Sequence, residues 1–563
     1  MPAVAAADGH RHAARPTSGG MVPADPRGTF GGGAENGVYL CARDRQVRGM
    51  YASHGFLRSD IGDVDVVFHE GIYHLFHLVL PNHDFIAHAV SSDGLSWRRV
   101  KNAFFVGDPG EWDDDMLWTM HVTPDPDRPG QWRMFYTGLT RAEFGRIQRV
   151  GMARSPDLYA WTRCEAAYPL EIGGPHYESG VEEGRHWVSF RDPFFFHEPG
   201  TGTRLLLAAA RVKDGPVIRR GCVGLAREVA PDRFEFGPPL HRPGLYDDIE
   251  VPNLFHFHGR YYLMGSIRED TKIHYWYADG IEGPYENFSD DVLLPHGNYA
   301  GRICRAGDRL LLFSFFSKTE LLINGHEFIK RLLPPPKEIV ALPDGRLRLK
   351  SFHGFDALVT DRLAVDSAAE CRLLCGNPTA WAEIRGDSLS IGSHSGFEAF
   401  LLPGQHEEFR LRAEMTLKGP GKTGLILRAS DEGDGYHLSL DCVNGIAQMR
   451  AWGANPTPEF EHAFRYKSLQ EARFRSSAHG PWRIEVVAHG TYLELSIDGH
   501  VVLSLVDDSF LCGAVGFWTE SATLGLREVT LETLSRPVSE HAPEMVYTTT
   551  QAPELLAGAG AGE

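Results

Sequence analysis

The chain has 563 residues, of which 42% are hydrophobic and 23% are charged. This ordinary globular composition excludes a disordered chain, and the length predicts more than one domain. With 56 basic and 74 acidic residues the formal net charge is −18, which argues against nucleic acid or an anionic membrane as a partner. No run of about 18 apolar residues occurs, so the sequence predicts no transmembrane helix.

The two ends of the chain are rich in alanine, glycine, proline, serine and threonine, and they lack apolar periodicity. We expect residues 1–36 and 538–563 to be disordered. The N-terminal segment has no apolar core typical of a secretory signal, and the eight cysteines lack zinc-ligand spacing. The sequence therefore predicts a cytoplasmic protein without a metal site or cofactor, with export as the alternative if the start is misassigned.

Between the ends, glycine, proline and Asp-Gly turns separate short runs of aromatic and β-branched residues, which is typical of an all-β protein. Five short segments look alike, and we interpret them as inner strands; they begin at Tyr73, Trp132, Arg204, Tyr261 and Arg309. Their spacing of about 50 to 70 residues is typical of propeller blades. We predict a five-bladed β-propeller over residues 37–350, with an irregular β-sandwich as the alternative.

The pattern changes after the segment KEIVALPDGRLRLK, which ends at Lys350. Apolar and polar residues now alternate, as in residues 409–415. Residues 492–497 lead into the pair Asp498-Gly499, which indicates a β-hairpin. Alternation with short turns predicts an antiparallel β-sandwich over residues 366–537. The continuous connection favours a sandwich that packs on the propeller over one that binds polysaccharide separately.

Three places combine carboxylates with the predicted inner strands. Asp63 and Asp65 precede the first of these strands, Arg191 and Asp192 lie between two aromatic groups, and Glu250 precedes the fourth strand. The inner strands of a propeller surround one axis, so equivalent positions in different blades converge at one face. The sequence therefore predicts that these carboxylates meet although they are distant along the chain.

The order of these motifs resembles glycoside hydrolase family 32, the β-fructosidase group, whose members have a five-bladed propeller and a C-terminal sandwich. Arg191-Asp192-Pro193 matches the family's Arg-Asp-Pro motif. Glu250-Val251-Pro252 matches its Glu-Cys-Pro motif, with valine in place of cysteine. The stretch that begins at Leu294 and contains Tyr299 resembles the region before the family's fifth blade. The resemblance covers residues 50–535.

The first motif departs from this family. Where the family has Trp-Met-Asn-Asp-Pro-Asn-Gly, this chain has Ile-Gly-Asp-Val-Asp-Val over residues 61–66. That form resembles the Asp-Pro-Asp-Val-Ile signature of the related family 43 arabinosidases and xylosidases. Counted back from Tyr73, the alignment places the catalytic carboxylate at Asp63, with Asp65 as the alternative and otherwise a structural residue. The departure leaves the identity of the sugar open.

The resemblance implies cleavage of a glycosidic bond by two carboxylates, through a transition state like an oxocarbenium ion. Asp63 would be the nucleophile of a retaining enzyme, or the general base of an inverting one. Glu250 would be the acid/base, with its pKa raised by the apolar residues beside it. Asp192 would bind the ring hydroxyls of the sugar, oriented by Arg191.

Further substrate contacts are predicted for Asp115 and Trp118, ahead of the second blade, because acids and aromatic rings suit sugar binding; the resemblance adds Tyr299. We expect a β-fructofuranosidase that acts on a small saccharide or oligosaccharide. One alternative is an arabinofuranosidase-like or other pentofuranose-acting hydrolase or transferase. The other is a non-catalytic carbohydrate-binding protein. Hydrolysis or transfer, exo or endo action, and the oligomeric state stay open at this point.

Overall fold

The computed structural model describes residues 51, 60–321, 327–364, 371–385, 388–454, 464–475, 480–536 and 538–539. The segments predicted to be disordered, 1–36 and 538–563, lie outside these residues except for 538–539. Nearly all regular structure in the described part is β, and its helices are short 3₁₀ turns at Arg141–Glu143, Val217–Arg219 and His353–Leu358. Among the described residues, then, no helix has the length and apolar character needed to cross a membrane.

Five antiparallel sheets follow one another along the chain and form the blades of a β-propeller, as predicted. Blade 1 comprises β1 (Asp60–His69), β2 (Ile72–Leu80), β3 (Phe85–Ser91), β4 (Arg98–Arg99) and β5 (Phe104–Phe105). Blade 2 comprises β6 (Met116–Pro124), β7 (Trp132–Leu139), β8 (Arg149–Ser155) and β9 (Thr162–Arg163). Blade 3 comprises β10 (Phe190–Glu198), β11 (Thr203–Arg211), β12 (Gly221–Ala230) and β13 (Arg233–Phe236).

Blades 4 and 5 continue this order, in which the first strand is innermost and later strands lie outward. Blade 4 comprises β14 (Glu250–Phe257), β15 (Arg260–Ile267), β16 (Lys272–Ala278) and β17 (Val292–Leu294). Blade 5 comprises β18 (Asn298–Ala306), β19 (Arg309–Leu321), β20 (Glu327–Leu332), β21 (Lys337–Ala341) and β22 (Leu347–Lys350). In blade 5, β19 pairs with β18, β20 and β21.

The repeated segments of the sequence form the second strand of each blade, and their assignment as innermost strands was wrong. They lie in β2, β7, β11, β15 and β19. A second strand is covered on both edges and both faces, so β2 and β7 are buried almost throughout and read as plain apolar runs. The innermost strands carry polar residues toward the axis and share no such pattern. The carboxylates that we placed ahead of inner strands therefore lie within the innermost strands themselves.

Every innermost strand contains a β-bulge near its start. In β1 the pairing with β2 shifts between Ile61 and Val64, where the inner strand has one residue more than its partner. The shifts in the other blades fall at the corresponding points, 118/120, 191/194, 250/253 and 299/302. A bulge re-aims the side chains around it. Five bulges at equivalent positions therefore direct a ring of side chains toward the axis.

One guanidinium joins the innermost strands of all five blades. Arg302 follows the bulge of β18 and is fully buried. It donates hydrogen bonds to the carbonyl oxygens of Pro252 (2.8 Å), Pro193 (2.8 Å) and Met120 (3.3 Å), which belong to β14, β10 and β6. Its Nε lies 3.8 Å from Oδ1 of Asp65 on β1. Bulged backbone leaves carbonyl groups without a ladder partner, and Arg302 supplies the missing donors.

The remaining strands form two packed antiparallel sheets, the predicted sandwich. Their bounds are β23 (Val359–Ala364), β24 (Arg372–Leu373), β25 (Ala380–Arg385), β26 (Ser388–Ser393), β27 (Phe397–Leu401), β28 (Phe409–Lys418), β29 (Lys422–Ala429), β30 (Gly435–Asp441), β31 (Ile446–Ala454), β32 (Phe464–Arg473), β33 (Trp482–His489), β34 (Tyr492–Ile497), β35 (His500–Val506), β36 (Ala514–Glu520) and β37 (Thr523–Leu534). One sheet has the order β25-β26-β37-β28-β33-β34-β35, with β23 on β37. The other has the order β24-β27-β36-β29-β30-β31-β32.

The sandwich begins earlier than the expected boundary at residue 366, because β23 already pairs with the last strand, β37. Its side chains are partly or fully exposed, so it lacks the alternation by which the other strands were recognised. The predicted hairpin is confirmed: β34 and β35 pair across Asp498 and Gly499, whose φ angles are 51° and 77°. Positive φ at both residues is what a two-residue hairpin turn requires.

The sandwich packs against blade 5 through buried polar contacts. The ammonium group of Lys337 on β21 lies 4.8 Å from the ring centre of Tyr492 on β34, and both residues are buried. Asn298, the first residue of β18, donates a hydrogen bond from Nδ2 to the carbonyl oxygen of Ser504 at 2.8 Å. The second contact holds the start of an innermost strand, so the sandwich supports the axis end of the propeller.

The contacts of Arg302 predict a large cost for its removal. We expect Arg302→Met to lower the free energy of unfolding by about 3–5 kcal/mol, because it removes the donor to three buried carbonyl groups and the guanidinium group beside the buried Asp65. The matched control is Arg227→Met. Arg227 pairs with Glu282 at the surface, and an exposed pair contributes at most about 1 kcal/mol. Chemical denaturation measures both. Equal losses in the two variants would contradict the role given to Arg302.

Candidate active site

The five bulges bring polar and aromatic side chains to one end of the propeller axis. The last paired residue before each bulge occupies an equivalent place in its blade; these residues are Ile61, Trp118, Arg191, Glu250 and Tyr299. The bulges themselves add Asp63, Thr119 and Asp192. The carboxylates, the guanidinium group and the tyrosine that we singled out in the sequence thus belong to one ring of residues, called the axial ring below.

Asp63 stands on the bulge of β1 and keeps some access to solvent. One carboxylate oxygen, Oδ2, accepts a hydrogen bond from the hydroxyl group of Thr119 on the neighbouring blade. The residue before it must be small, since a Cβ atom at Gly62 would lie 2.7 Å from the Cβ atom of Leu78. Close approach of the bulge to β2 therefore accounts for the glycine in this motif.

Asp192 is buried and fixed at both its backbone and its side chain. Its amide donates a hydrogen bond to the hydroxyl oxygen of Thr137 at 3.1 Å, and its Oδ2 accepts one from the amide of Val251 at 3.1 Å. Asp192 and Val251 have φ angles of 59° and 50°. A β-branched residue in this region is strained by about 1–3 kcal/mol, a cost typical of functional sites. Here the strained backbone of β14 donates its amide to Asp192.

Glu250 accepts hydrogen bonds at both carboxylate oxygens. Oε1 accepts from Nη2 of Arg191 at 2.7 Å and from Nη2 of Arg268. Oε2 accepts from the hydroxyl group of Tyr299 at 2.6 Å. The side chain of Glu250 is 14% exposed and that of Arg268 is 59% exposed, so Arg268 covers Glu250 from the solvent side.

Arg191 contacts two motif carboxylates, that of Asp192 in its own motif and that of Glu250 in the next one. Its side chain is buried, its Nη2 donates to Oδ2 of Asp248 at 3.1 Å as well as to Glu250, and its Nε lies 3.6 Å from Oδ2 of Asp192. The predicted pairing of Arg191 with Asp192 is thus present, and Glu250 shares the same cation. A planar guanidinium with several fixed donors is suited to holding carboxylates in this way.

The electrostatics differ from expectation at Glu250. Burial acts to raise the pKa of Glu250, but the guanidinium groups of Arg191 and Arg268 and the hydrogen bond from Tyr299 outweigh it and lower the pKa to about 2. The prediction that apolar neighbours raise this pKa was wrong. It considered the residues adjacent in sequence, whereas the deciding charges come from other strands and from the turn after β15.

Asp63 shows the opposite shift. Burial, together with the nearby carboxylates of Asp192 and Glu250, raises the pKa of Asp63 to about 7, although the hydrogen bond from Thr119 opposes this. Burial also raises the pKa of Asp192, against the opposing charge of Arg191. Carboxylates that interact this closely titrate as a group, and they hold at least one proton below neutral pH.

The predicted substrate contacts separate into two sets. Tyr299 and Trp118 belong to the axial ring, and the indole Nε1 of Trp118 has no hydrogen-bond partner among the described residues. Asp115 lies outside the ring, in the turn before β6, where its Oδ1 is 3.7 Å from Nε of Arg141. Asp65, the alternative to Asp63, is buried and accepts a hydrogen bond from the amide of Val122 at 2.6 Å. Asp65 is therefore occupied within the wall of the axis.

Several residues of the site were not singled out from the sequence: Thr119, Thr137, Asp248, Arg268 and Arg302. Thr119 and Asp248 lie in segments that we considered because of their acidic residues. Their position in those segments is the only sequence feature that could have indicated a role. Arg268 follows β15 in a turn and has no sequence signature. In the described part of the chain, no group of three or more histidine, cysteine or acidic side chains is arranged to hold a metal ion.

Comparison with known proteins shows a matching domain and a shared fold. Residues 63–281 match the description "Glycosyl hydrolases family 32 N-terminal domain". The solved fructan 1-exohydrolase IIa from Cichorium intybus is 13% identical, with a TM-score of 0.63 over 88% of this chain and 99% of that one. Exo-inulinase from Aspergillus awamori is 14% identical, with a TM-score of 0.60 over 88% and 99% of the two chains.

A third similar structure is sucrose-6-phosphate hydrolase from Lactobacillus gasseri, which is 14% identical, with a TM-score of 0.61 over 87% of this chain and 93% of that one. No curated protein sequence matches the chain. At these identities the solved structures establish the shared fold, a propeller followed by a sandwich. Residues 63–281 thus match a family 32 N-terminal domain, and the chain shares its overall fold with these solved hydrolases.

Proposed function

We propose that the protein is a retaining glycosidase that cleaves or transfers furanosyl residues, β-fructofuranosides first among them. Asp63 is the nucleophile and Glu250 the acid/base. The observation that carries the proposal is the axial ring itself, in which the three motif carboxylates are close enough to shift one another's pKa values. A site that only binds sugar has no need of three interacting carboxylates with opposed pKa shifts.

In the first step, Asp63 attacks the anomeric carbon while Glu250 gives its proton to the leaving oxygen, so that one carbon–oxygen bond forms as the other breaks. The product is an ester between the sugar and Asp63, and the leaving group departs as an alcohol. In the second step, the ionised Glu250 takes a proton from water, and the resulting hydroxide equivalent releases the sugar from Asp63. Two inversions at the same carbon give net retention. A second sugar in place of water gives transfer.

Asp192 binds ring hydroxyl groups of the furanose in this proposal. Its position is set by the amide of Val251 and the hydroxyl group of Thr137, so its carboxylate does not have to reorganise when the sugar binds. Trp118 is partly exposed and has an aromatic face for the apolar side of the ring. Both features favour a carbohydrate ligand over a charged one.

The protonation of the site limits the working pH range. In the ligand-free protein the proton shared by the pair lies on Asp63, whereas catalysis requires it on Glu250 and an ionised Asp63. The reactive form holds the same total number of protons, so it exists between the two apparent pKa values of the pair. Activity should therefore fall below about pH 2 and above about pH 7.

The choice of sugar rests on two features that favour different substrates. The Arg-Asp-Pro and Glu-Val-Pro motifs support a fructofuranoside, and the similar fructan 1-exohydrolase has been solved with 1-kestose. The altered motif around Asp63 supports an arabinofuranoside. An arabinofuranosidase-like activity is therefore the second candidate.

The direct test is a proton NMR time course with sucrose, inulin-type and levan-type oligosaccharides, and aryl arabinofuranosides of both anomeric forms. The proposal expects a fructoside to be consumed and the β-configured product to appear first. Consumption of an arabinofuranoside alone would select the second candidate. An inverted first product would make Asp63 a general base, and no turnover of any furanoside would contradict catalysis.

Isosteric variants separate the two carboxylate roles. We expect Asp63→Asn to lower kcat by about 10⁴-fold or more, because the nucleophile is lost. Glu250→Gln should lower kcat/KM, which reports the first step, by about 10²–10⁴-fold for a sugar leaving group, and much less for a nitrophenyl leaving group, which departs without a proton. The matched controls are Asp279→Asn and Glu282→Gln, since both side chains are exposed. Full activity of Asp63→Asn would exclude it as the nucleophile.

The hydrogen bond from Thr119 predicts a pH effect. Thr119→Val keeps the shape of the side chain but removes the donor that stabilises the Asp63 carboxylate, so the pKa of Asp63 rises further. The alkaline limb of the kcat/KM profile reports loss of the last proton of the pair, and it should move to higher pH. The pH profile of the variant, measured beside that of the unchanged enzyme, checks this. An alkaline limb that stays in place or moves down would argue against Asp63 as the titrating group.

A further inference from the structure

Glu250 is held by three donors, and this environment disfavours the protonated form that acts as an acid. Arg191 and Arg268 donate to Oε1, and Tyr299 donates to Oε2. Each of these contacts stabilises the ionised form of Glu250, whereas the proposed first step requires the protonated form. Withdrawal of one of the three donors would therefore increase the population in which Glu250 carries the proton.

Arg191 is not the donor that can leave. Its side chain is 5% exposed and is held by Oδ2 of Asp248 at 3.1 Å, by Oγ of Ser189 at 3.3 Å and by Oε1 of Gln148 at 3.5 Å. Its withdrawal would also free Asp192, which binds the sugar in the proposed function. Arg191 is thus part of the fixed wall of the site.

Tyr299 is also fixed. It stands on an innermost strand next to the bulge of β18, and its ring packs against that of Phe315 with 6.0 Å between the centres. Moving its hydroxyl group away from Glu250 requires movement of the strand that also carries Arg302. The strand is in turn held to the sandwich through Asn298.

Arg268 differs from both because it is 59% exposed and comes from a turn rather than from an innermost strand. Apart from its contact with Glu250, its guanidinium group lies 3.7 Å from Oδ2 of Asp248, which is already paired with Arg185 and Arg191. A side chain in this position can rotate into solvent without displacing an innermost strand. It also stands on the solvent side of Glu250, where a leaving group must be placed to receive a proton.

We propose that Arg268 is a positioning residue that keeps Glu250 ionised in the free enzyme and withdraws when the leaving group of the substrate takes its place beside Oε1. This inference rests on the proposed function and extends it. The charged and titratable groups that face Glu250 are Asp63, Asp192, Asp248, Arg191, Arg268 and Tyr299. Of these, Arg268 is the exposed cation.

The withdrawal of Arg268 allows a proton already in the site to serve the reaction. Before substrate binds, the pair of Asp63 and Glu250 holds one proton on Asp63. Loss of the cation beside Glu250 favours movement of that proton to Glu250, which leaves Asp63 ionised. The proton is then given to the leaving oxygen, and no outside acid is required. Substrate binding thus increases the share of the reactive arrangement without a change in the total number of protons.

The test is the pH dependence of kcat/KM for Arg268→Gln on a furanoside that the unchanged enzyme hydrolyses. Removal of the cation should move the acid limb up by about 1 to 3 pH units, the effect of an opposite charge in contact with a carboxylate. Arg268→Lys keeps the charge and should move the limb less. The matched control is Arg227→Gln, which should leave the limb in place. Arg227 is a surface arginine on blade 3 and pairs with Glu282.

The outcomes distinguish the inference from the function on which it rests. If the unchanged enzyme turns over no furanoside, the proposed function fails. If it does, and the acid limb of Arg268→Gln stays in place while the melting temperature is unchanged, Arg268 does not control Glu250 and the inference is overturned. A lower melting temperature with an unmoved limb, in Gln and Lys variants alike, gives Arg268 a structural role only and also overturns it.

Discussion

The site depends on one buried guanidinium group at the propeller axis. Each innermost strand has a bulge at the level of the candidate site, and each bulge interrupts the backbone pairing that would otherwise satisfy its carbonyl groups. Arg302 donates to three of these strands and is balanced by Asp65 on a fourth, while it stands on the fifth itself. The same group therefore fixes the relative positions of all five blades at the level of the carboxylates.

Pairs of opposite charges follow one another from the axis toward the solvent. Arg302 and Asp65 form the buried end, Arg191 with Asp192 and Asp248 forms the middle, and Arg268 covers Glu250 at the mouth. Exposure increases in the same direction, so the cation nearest the axis is enclosed and the outermost one is exposed. This arrangement of charges accounts for the different pKa values of Asp63 and Glu250. Burial raises the pKa of Asp63, which has no guanidinium group in contact among the residues that the structure describes, whereas two guanidinium groups in contact with Glu250 lower its pKa.

Much of this arrangement could be predicted from the sequence, and the failures have physical causes. The propeller and the sandwich were predicted because strand patterning is local, and short local motifs pointed to the residues that the structure brings together: Asp63, Arg191, Asp192, Glu250 and Tyr299. The repeated segments were placed one strand too far inward, since a fully buried second strand has the stronger apolar pattern. The proton affinity of Glu250 was missed because it depends on Arg268, and Arg302 was missed because its partners are backbone carbonyls of other blades. Contacts between blades leave no local signal.

The most direct measurement is to trap the sugar on the enzyme. Glu250→Gln enzyme, mixed with a nitrophenyl β-fructofuranoside and quenched in acid, should accumulate the covalent intermediate, because the first step needs no proton and the second lacks its base. Mass spectrometry of the digested protein would then find one furanosyl group on the peptide that contains Asp63. A label on a different carboxylate, or release of nitrophenol without any labelled peptide, would contradict the account of a nucleophilic Asp63 and a retaining enzyme.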